Sequence, residues 1–138
     1  MAIDAALRRR VIERAGNRCE YCRMPREFDS APFQIDHVRA RKHHGATTAD
    51  NLAWACLPCN NHKAPNLAGI DPQTGNLARL FNPRDDRWED HFAWVGPRLV
   101  GKTAIARATI DVLAIDLLDR VALRHELLVE GVFPPPTS

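Results

Sequence analysis

No stretch of the sequence approaches the roughly 18 to 20 consecutive apolar residues of a membrane span, and the opening Met1-Ala-Ile-Asp lacks the basic-then-apolar pattern of a secretory leader. A disulfide framework is therefore not the first reading of the four cysteines, and the reducing cytoplasm is the expected compartment. There is also no internal repeat and no low-complexity segment. The formal net charge is only +2, too small to identify a partner by itself. What charge there is lies unevenly: residues 1–66 hold 11 Lys and Arg against 7 Asp and Glu, and residues 67–138 hold 8 against 10. At 138 residues, 45% hydrophobic and 26% charged, the chain has the composition of about one globular domain. A domain of this size buries roughly two-thirds of its unfolded surface, so a loop-rich part of it still gains from a metal or a cross-link.

Along the chain, Leu7, Val11, Ile12 and Ala15 fall on one helical stripe, with Asp4 placed to cap its start and Gly16 to end it. The opposite face carries Arg8, Arg9, Arg10 and Arg14, with Arg18 just beyond, either as a solvated face or as phosphate contacts. Residues 19–66 are rich in turn formers. Within them Phe33–Val38 and Asn51–Cys56 read as strands, residues 42–50 as an exposed loop, and Leu57–Lys63 as a short helix with Pro58 in its first turn and Pro65 as its stop. Further on, Asp71-Pro-Gln-Thr-Gly is a turn, and Phe92–Val95 and Arg98–Lys102 read as a hairpin joined by Gly96-Pro97. Helical spacing runs from about Ala104 to Glu130, with a break near Asp116, whose carboxylate could start a new turn. Three prolines at 134–136 begin a frayed end.

Cys19-Glu-Tyr-Cys22 and Cys56-Leu-Pro-Cys59 are two C-x-x-C pairs, each able to offer two thiolates to one tetrahedral Zn²⁺. A site with four sulfurs is closed to water and substrate, so its work is structural. A redox pair is the alternative for one C-x-x-C, but two pairs without a thioredoxin-like βαβ context favour zinc. The 33 residues between the pairs exceed the roughly 15 to 20 of a simple zinc ribbon, so something is built inside the clip. That space holds Asp36-His37 and Asn51, and Asn60 and Lys63 follow the last cysteine. Asp36 and His37 put an oxygen ligand for a hard cation beside a base of pKa about 6.5. Neighbouring strand residues point to opposite faces, so the pair can address one substrate if the strand ends at Asp36 and His37 opens the loop.

These residues in this order resemble the zinc-clipped HNH endonucleases: C-x-x-C, a hydrophobic-Asp-His at a strand end, Asn-Leu before the second pair, then C-x-x-C-N-x-x-K. The resemblance is dense over residues 19–63 and extends to Arg14 and Gly16 of the preceding helix. It implies an α+β fold with a ββα-metal core clipped by a four-cysteine zinc site. An N-terminal helix precedes that core, and a hairpin plus helical extension follows it. Residues 1–66 would form the nuclease core and 67–138 an extension packed on it as one unit. It further implies Asp36 and Asn60 as ligands of a catalytic Mg²⁺ or Mn²⁺, His37 as general base, and Asn51 as the brace of the His-bearing loop. The reaction would be hydrolysis of DNA phosphodiesters, with RNA left open, to a 5′-phosphate and a 3′-hydroxyl. Histidine is also frequent in the family where this chain has Asn60.

Lys63 reads as a phosphate contact or simply the helix end, with Arg39, Arg41 and Lys42 also placed for phosphate. His62, two residues beyond Asn60, points elsewhere on a helix and reads as a surface residue more than a ligand. His43 and His44 lie in the exposed loop. Trp88, Phe92 and Trp94 read as core aromatics more than as a stacking platform, within a segment resembling an extension of bacterial HNH proteins. Two rivals remain. A non-catalytic zinc-stabilised nucleic-acid-binding module would share the cysteines, whereas a zinc deaminase needs a His-x-Glu and an open zinc position that this chain lacks.

Overall fold

Helix α1 (Ala5–Arg14) begins where the Asp4 carboxylate accepts the Leu7 backbone N–H at 2.8 Å. It ends by turning left-handed through Gly16 (φ +65°) and Asn17 (φ +53°), a bend that costs glycine nothing. The computed structural model describes residues 3–136. Val11 and Ala15 are buried on the inner side of α1, and Arg8, Arg9 and Arg10 stay in solvent. The chain then closes a tight knuckle, with Cys19 N–H donating to Met24 O and Arg23 N–H to Cys19 O, both at 2.9 Å.

Strands β1 (Gln34–His37) and β2 (Leu52–Ala55) pair antiparallel, Asp36 opposite Ala53 and His37 opposite Leu52. All four β2 residues are buried, because α1 packs against that strand and α2 (Leu57–Lys63) against β1. Pro58 occupies the first turn of α2, where the missing N–H costs nothing. The helix stops at Ala64, which takes φ +48° just before Pro65. The strand reading needs one correction: β1 runs through His37 instead of ending at Asp36, since His37 still pairs with Leu52.

Beyond residue 66, β3 (Ala68–Ile70) and β4 (Leu77–Arg79) form a hairpin around the turn read at Asp71–Gly75. These strands escape sequence reading because each has three residues, too few to alternate. Gly69 lies so close to the next helix that a Cβ would come 2.4 Å from Val112 Cγ2. A single turn, α3 (Trp88–His91), leads into the hairpin of β5 (Phe92–Val95) and β6 (Arg98–Gly101), then α4 (Ala104–Val112) and α5 (Leu118–Val129). The break between the last helices falls as expected, but Asp116 does not cap α5. Its carboxylate instead accepts the Leu99 N–H and the Arg124 guanidinium, the latter at 2.6 Å, and so ties the break to β6 and α5.

The result, among the described residues, is a mixed α/β fold with three separate two-stranded sheets. One hydrophobic cluster draws on both sides of residue 66: Tyr21, Met24 and Trp54 from one, Phe81, Trp88, Phe92 and Phe133 from the other. Trp88 and Phe92 are buried, and Trp94 lies tilted against Trp88 at 6.0 Å and meets Phe133 edge-on at 5.0 Å. These three aromatics are packing groups. Polar links across the same boundary join Arg120 to Asp29 at 2.9 Å, Arg84 to Glu20, and Trp88 Nε1 to the Tyr21 carbonyl at 2.8 Å. No described helix is long and apolar enough to cross a membrane.

Candidate active site and metal centre

The knuckle after α1 and the start of α2 bring Cys19, Cys22, Cys56 and Cys59 together, all buried, with their sulfurs within 4.8 Å of one another. Cys22 Sγ lies 3.7 Å from Cys56 Sγ, close to the edge of about 3.8 Å that a tetrahedron with 2.3 Å Zn–S bonds requires. Hydrogen bonds from Cys19, Cys56 and Cys59 hold the Cys22 thiol well below its ordinary pKa, while those with Cys19 and Cys22 push Cys56 and Cys59 up. Four buried sulfurs this close together suit a cation that lets them bind as thiolates. The donor set therefore fits a closed metal centre of the zinc type.

A separate cavity of about 300 Å³ opens where β1 leaves the sheet, and its wall includes Asp36, His37, Ala40, Arg41 and Asn60. Asp36 is 5% exposed. Its Oδ2 accepts the Tyr21 hydroxyl at 2.6 Å, and the Lys63 ammonium stands 3.3 Å from Oδ1 and 3.2 Å from Oδ2. Burial raises the Asp36 pKa, against the opposing pull of Lys63 and the Tyr21 hydroxyl. Asn60 donates from Nδ2 to Gln34 Oε1 at 3.1 Å, and its Oδ1 accepts no hydrogen bond among the described residues. A carboxylate and a free amide oxygen on one cavity wall are a hard-cation donor set, and the residues fit Mg²⁺ or Mn²⁺.

His37 is half-buried, with Nε2 2.9 Å from Thr47 Oγ1. The partner that orients the ring is thus a side-chain hydroxyl. Burial lowers the His37 pKa, outweighing the neighbouring Asp36, and so favours the neutral ring. Asn51 closes the loop that follows: its Oδ1 accepts Arg39 N–H at 2.9 Å, and its Nδ2 donates to Arg39 O at 3.0 Å and Ala46 O at 2.8 Å. Arg14 grips the other end of the loop, donating to Ala49 O at 2.8 Å and Leu52 O at 2.7 Å.

Lys63 is a correction to the surface-phosphate reading. It is 1% exposed, and its ammonium is spent on Asp36 and, at 3.1 Å, on the His37 carbonyl. The helix carries it inward because three residues beyond Asn60 is nearly one turn, so both face β1. Arg39, Arg41 and Lys42 are exposed; Arg41 lines the cavity, and Arg39 lines a wider groove of about 980 Å³ with Arg14, Asn51 and Arg84. His62 turns back to Pro58 O at 2.8 Å, away from the cavity, and His44 is exposed beside it in sequence to a half-buried His43. Tyr21, Thr47 and Gln34 were not singled out from sequence. Tyr21 carried a signal, being the chain's only tyrosine and lying inside a C-x-x-C pair.

Residues 19–66 match the HNH endonuclease family, the same segment that holds the cysteine cluster, Asp36, His37 and Asn60. Over a longer stretch of 120 residues, the chain is 24% identical to the Septu protein PtuB of Bacillus thuringiensis, covering 86% of this chain and 44% of that relative. The chain thus spans less than half the length of the curated relative it matches. No solved structure matches it significantly.

Proposed function

We propose that the protein is a metal-dependent DNA endonuclease in which β1, β2 and α2 form a ββα-metal core, clipped by a structural zinc on the four cysteines. The observation that carries this reading is the shared cavity of Asp36, His37 and Asn60, separate from the sulfur cluster. Asp36 and Asn60 would hold one Mg²⁺ or Mn²⁺, which supplies charge stabilisation at the scissile phosphate and the departing oxygen. His37 takes the proton from the attacking water, its free ring nitrogen set by the Thr47 contact at Nε2. Asn51 keeps the loop after His37 closed and so holds the imidazole's base in place. Arg39, Arg41 and Lys42 contact backbone phosphates around the cavity. Residues 1–66 form the nuclease core and the remainder supports it, in a cytoplasmic protein whose thiols stay reduced.

One observation favours the rival, a zinc-stabilised nucleic-acid-binding module without catalysis: Lys63 already neutralises Asp36. Incubation of supercoiled plasmid with the protein and Mg²⁺ or Mn²⁺, repeated with His37→Ala, separates the two. The nuclease reading expects nicked or linear product from the wild type and a loss of at least about 100-fold in the variant. Equal cleavage by both removes His37 as base, and none from either favours the binding module.

A further inference from the structure

We infer that Tyr21 is a positioning residue for the Asp36 carboxylate, and that through it residues 67–136 act on the cation pocket. The inference rests on reading Asp36 and Asn60 as cation ligands. Tyr21 is the third residue of Cys19-Glu-Tyr-Cys22, so the sulfur cluster anchors its backbone on both sides. Its side chain is fully buried, and a hydroxyl 2.6 Å from Asp36 Oδ2 has the length of a charge-assisted bond to a carboxylate. Asp36 Oδ1 receives only the longer Lys63 contact at 3.3 Å, which makes Oδ1 the oxygen left for a cation.

The second half of the chain grips the same short stretch. Trp88 Nε1 donates to the Tyr21 carbonyl at 2.8 Å, and Phe81 meets the Tyr21 ring edge-on at 6.5 Å. Phe81 is itself pinned to α4 by its N–H on Thr109 Oγ1 at 2.8 Å, and Arg84 pairs with the adjacent Glu20. The terminal torsion of an aspartate is soft, so a carboxylate with no outer partner swings freely. The short Tyr21 contact limits that freedom more tightly than the longer Lys63 contacts do, before a cation arrives. Outer-shell partners of this kind are worth about 10- to 100-fold in metal affinity.

Full-length Tyr21→Phe, Trp88→Phe and Asp36→Ala, compared with wild type, test this by Mn²⁺ titration with the free ion followed by electron paramagnetic resonance. Zinc content and melting temperature are measured on each sample. Tyr21→Phe should keep zinc at the wild-type ratio and weaken Mn²⁺ binding about tenfold or more, and Trp88→Phe should weaken it in the same direction by less. Unchanged Mn²⁺ affinity in a zinc-loaded Tyr21→Phe overturns the positioning role, and unchanged affinity in Trp88→Phe overturns the link to the second half. If Tyr21→Phe loses zinc, Trp88→Phe, which leaves the hydroxyl in place, carries the test. Asp36→Ala isolates the underlying reading: should it bind Mn²⁺ like wild type, the cation site is elsewhere and the positioning role falls with it.

Discussion

The Lys63 ammonium bridges both carboxylate oxygens of Asp36, 3.3 Å from one and 3.2 Å from the other, inside a wall that solvent barely reaches. A buried carboxylate needs a cation, and α2 supplies one from within the chain. Lys63→Met should therefore leave an uncompensated charge and cost about 3–5 kcal/mol, the usual penalty for breaking one side of a buried pair. A divalent cation at Asp36 would replace the missing charge. Thermal melts should show Mn²⁺ stabilising Lys63→Met more than wild type; equal shifts would mean that Lys63 and the cation do not share Asp36.

The sulfur cluster joins two segments separated by 33 residues, and a buried four-thiol centre has no substitute for its metal. Apparent zinc affinities of about 10 kcal/mol or more rival the whole folding stability of a small domain, about 5–15 kcal/mol. Atomic absorption should find one zinc per chain. A strong chelator, or Cys56→Ser, should remove it and unfold the knuckle and α2 together, seen as loss of amide protection in both. Retained protection after zinc loss would show that the hydrophobic cluster holds these segments unaided.

The cysteine cluster was legible because two C-x-x-C pairs are a specific signal, the meeting of Asp36, His37 and Asn60 on one cavity wall because the family resemblance grouped them, and α1 because its stripe and both its ends carry ordinary helix signals. Lys63 was misread for want of a partner: sequence says that a lysine follows Asn60 by three, but only the packing of α2 on β1 turns it inward to Asp36. The short β3 and β4 carry no period to read, and Asp116 looked like a cap until β6 and α5 claimed its oxygens. Tyr21 and Thr47 meet Asp36 and His37 through contacts 15 and 10 residues along the chain, which no local pattern encodes.

Asn51 makes three hydrogen bonds to the backbone of Arg39 and Ala46, closing a loop in which a Cβ on Gly45 would fall 1.7 Å from the Arg39 carbonyl oxygen. Asn51→Ala should cost about 1–3 kcal/mol and loosen the segment that carries His37 into place. On the proposed nuclease reading, in which the loop positions the base, kcat should fall while KM changes little. Gly45→Ala, which needs the loop backbone to move, should produce the same kinetic pattern. A change confined to KM would assign the loop to substrate binding.

Asp71 is fully buried beneath the β3–β4 turn, where Arg107 holds it through two contacts of 2.9 Å, with Gln73 N–H and the Thr74 hydroxyl adding two more. The Arg107 guanidinium keeps this carboxyl well below the ordinary carboxylate range. A depressed folded pKa means that the unfolded chain takes up the proton first. The stabilisation is therefore complete above the unfolded value of about 3.9 and is lost as pH falls from there towards the folded value. Asp71→Asn cannot ionise, so its deficit against wild type should be largest at neutral pH and shrink below about pH 4. Urea midpoints for both proteins between about pH 7 and about pH 2.5 measure this. Acid release of the metal centre affects the two chains alike and cancels in the difference, so a deficit that stays constant across that range would remove Arg107 as the source of the stabilisation.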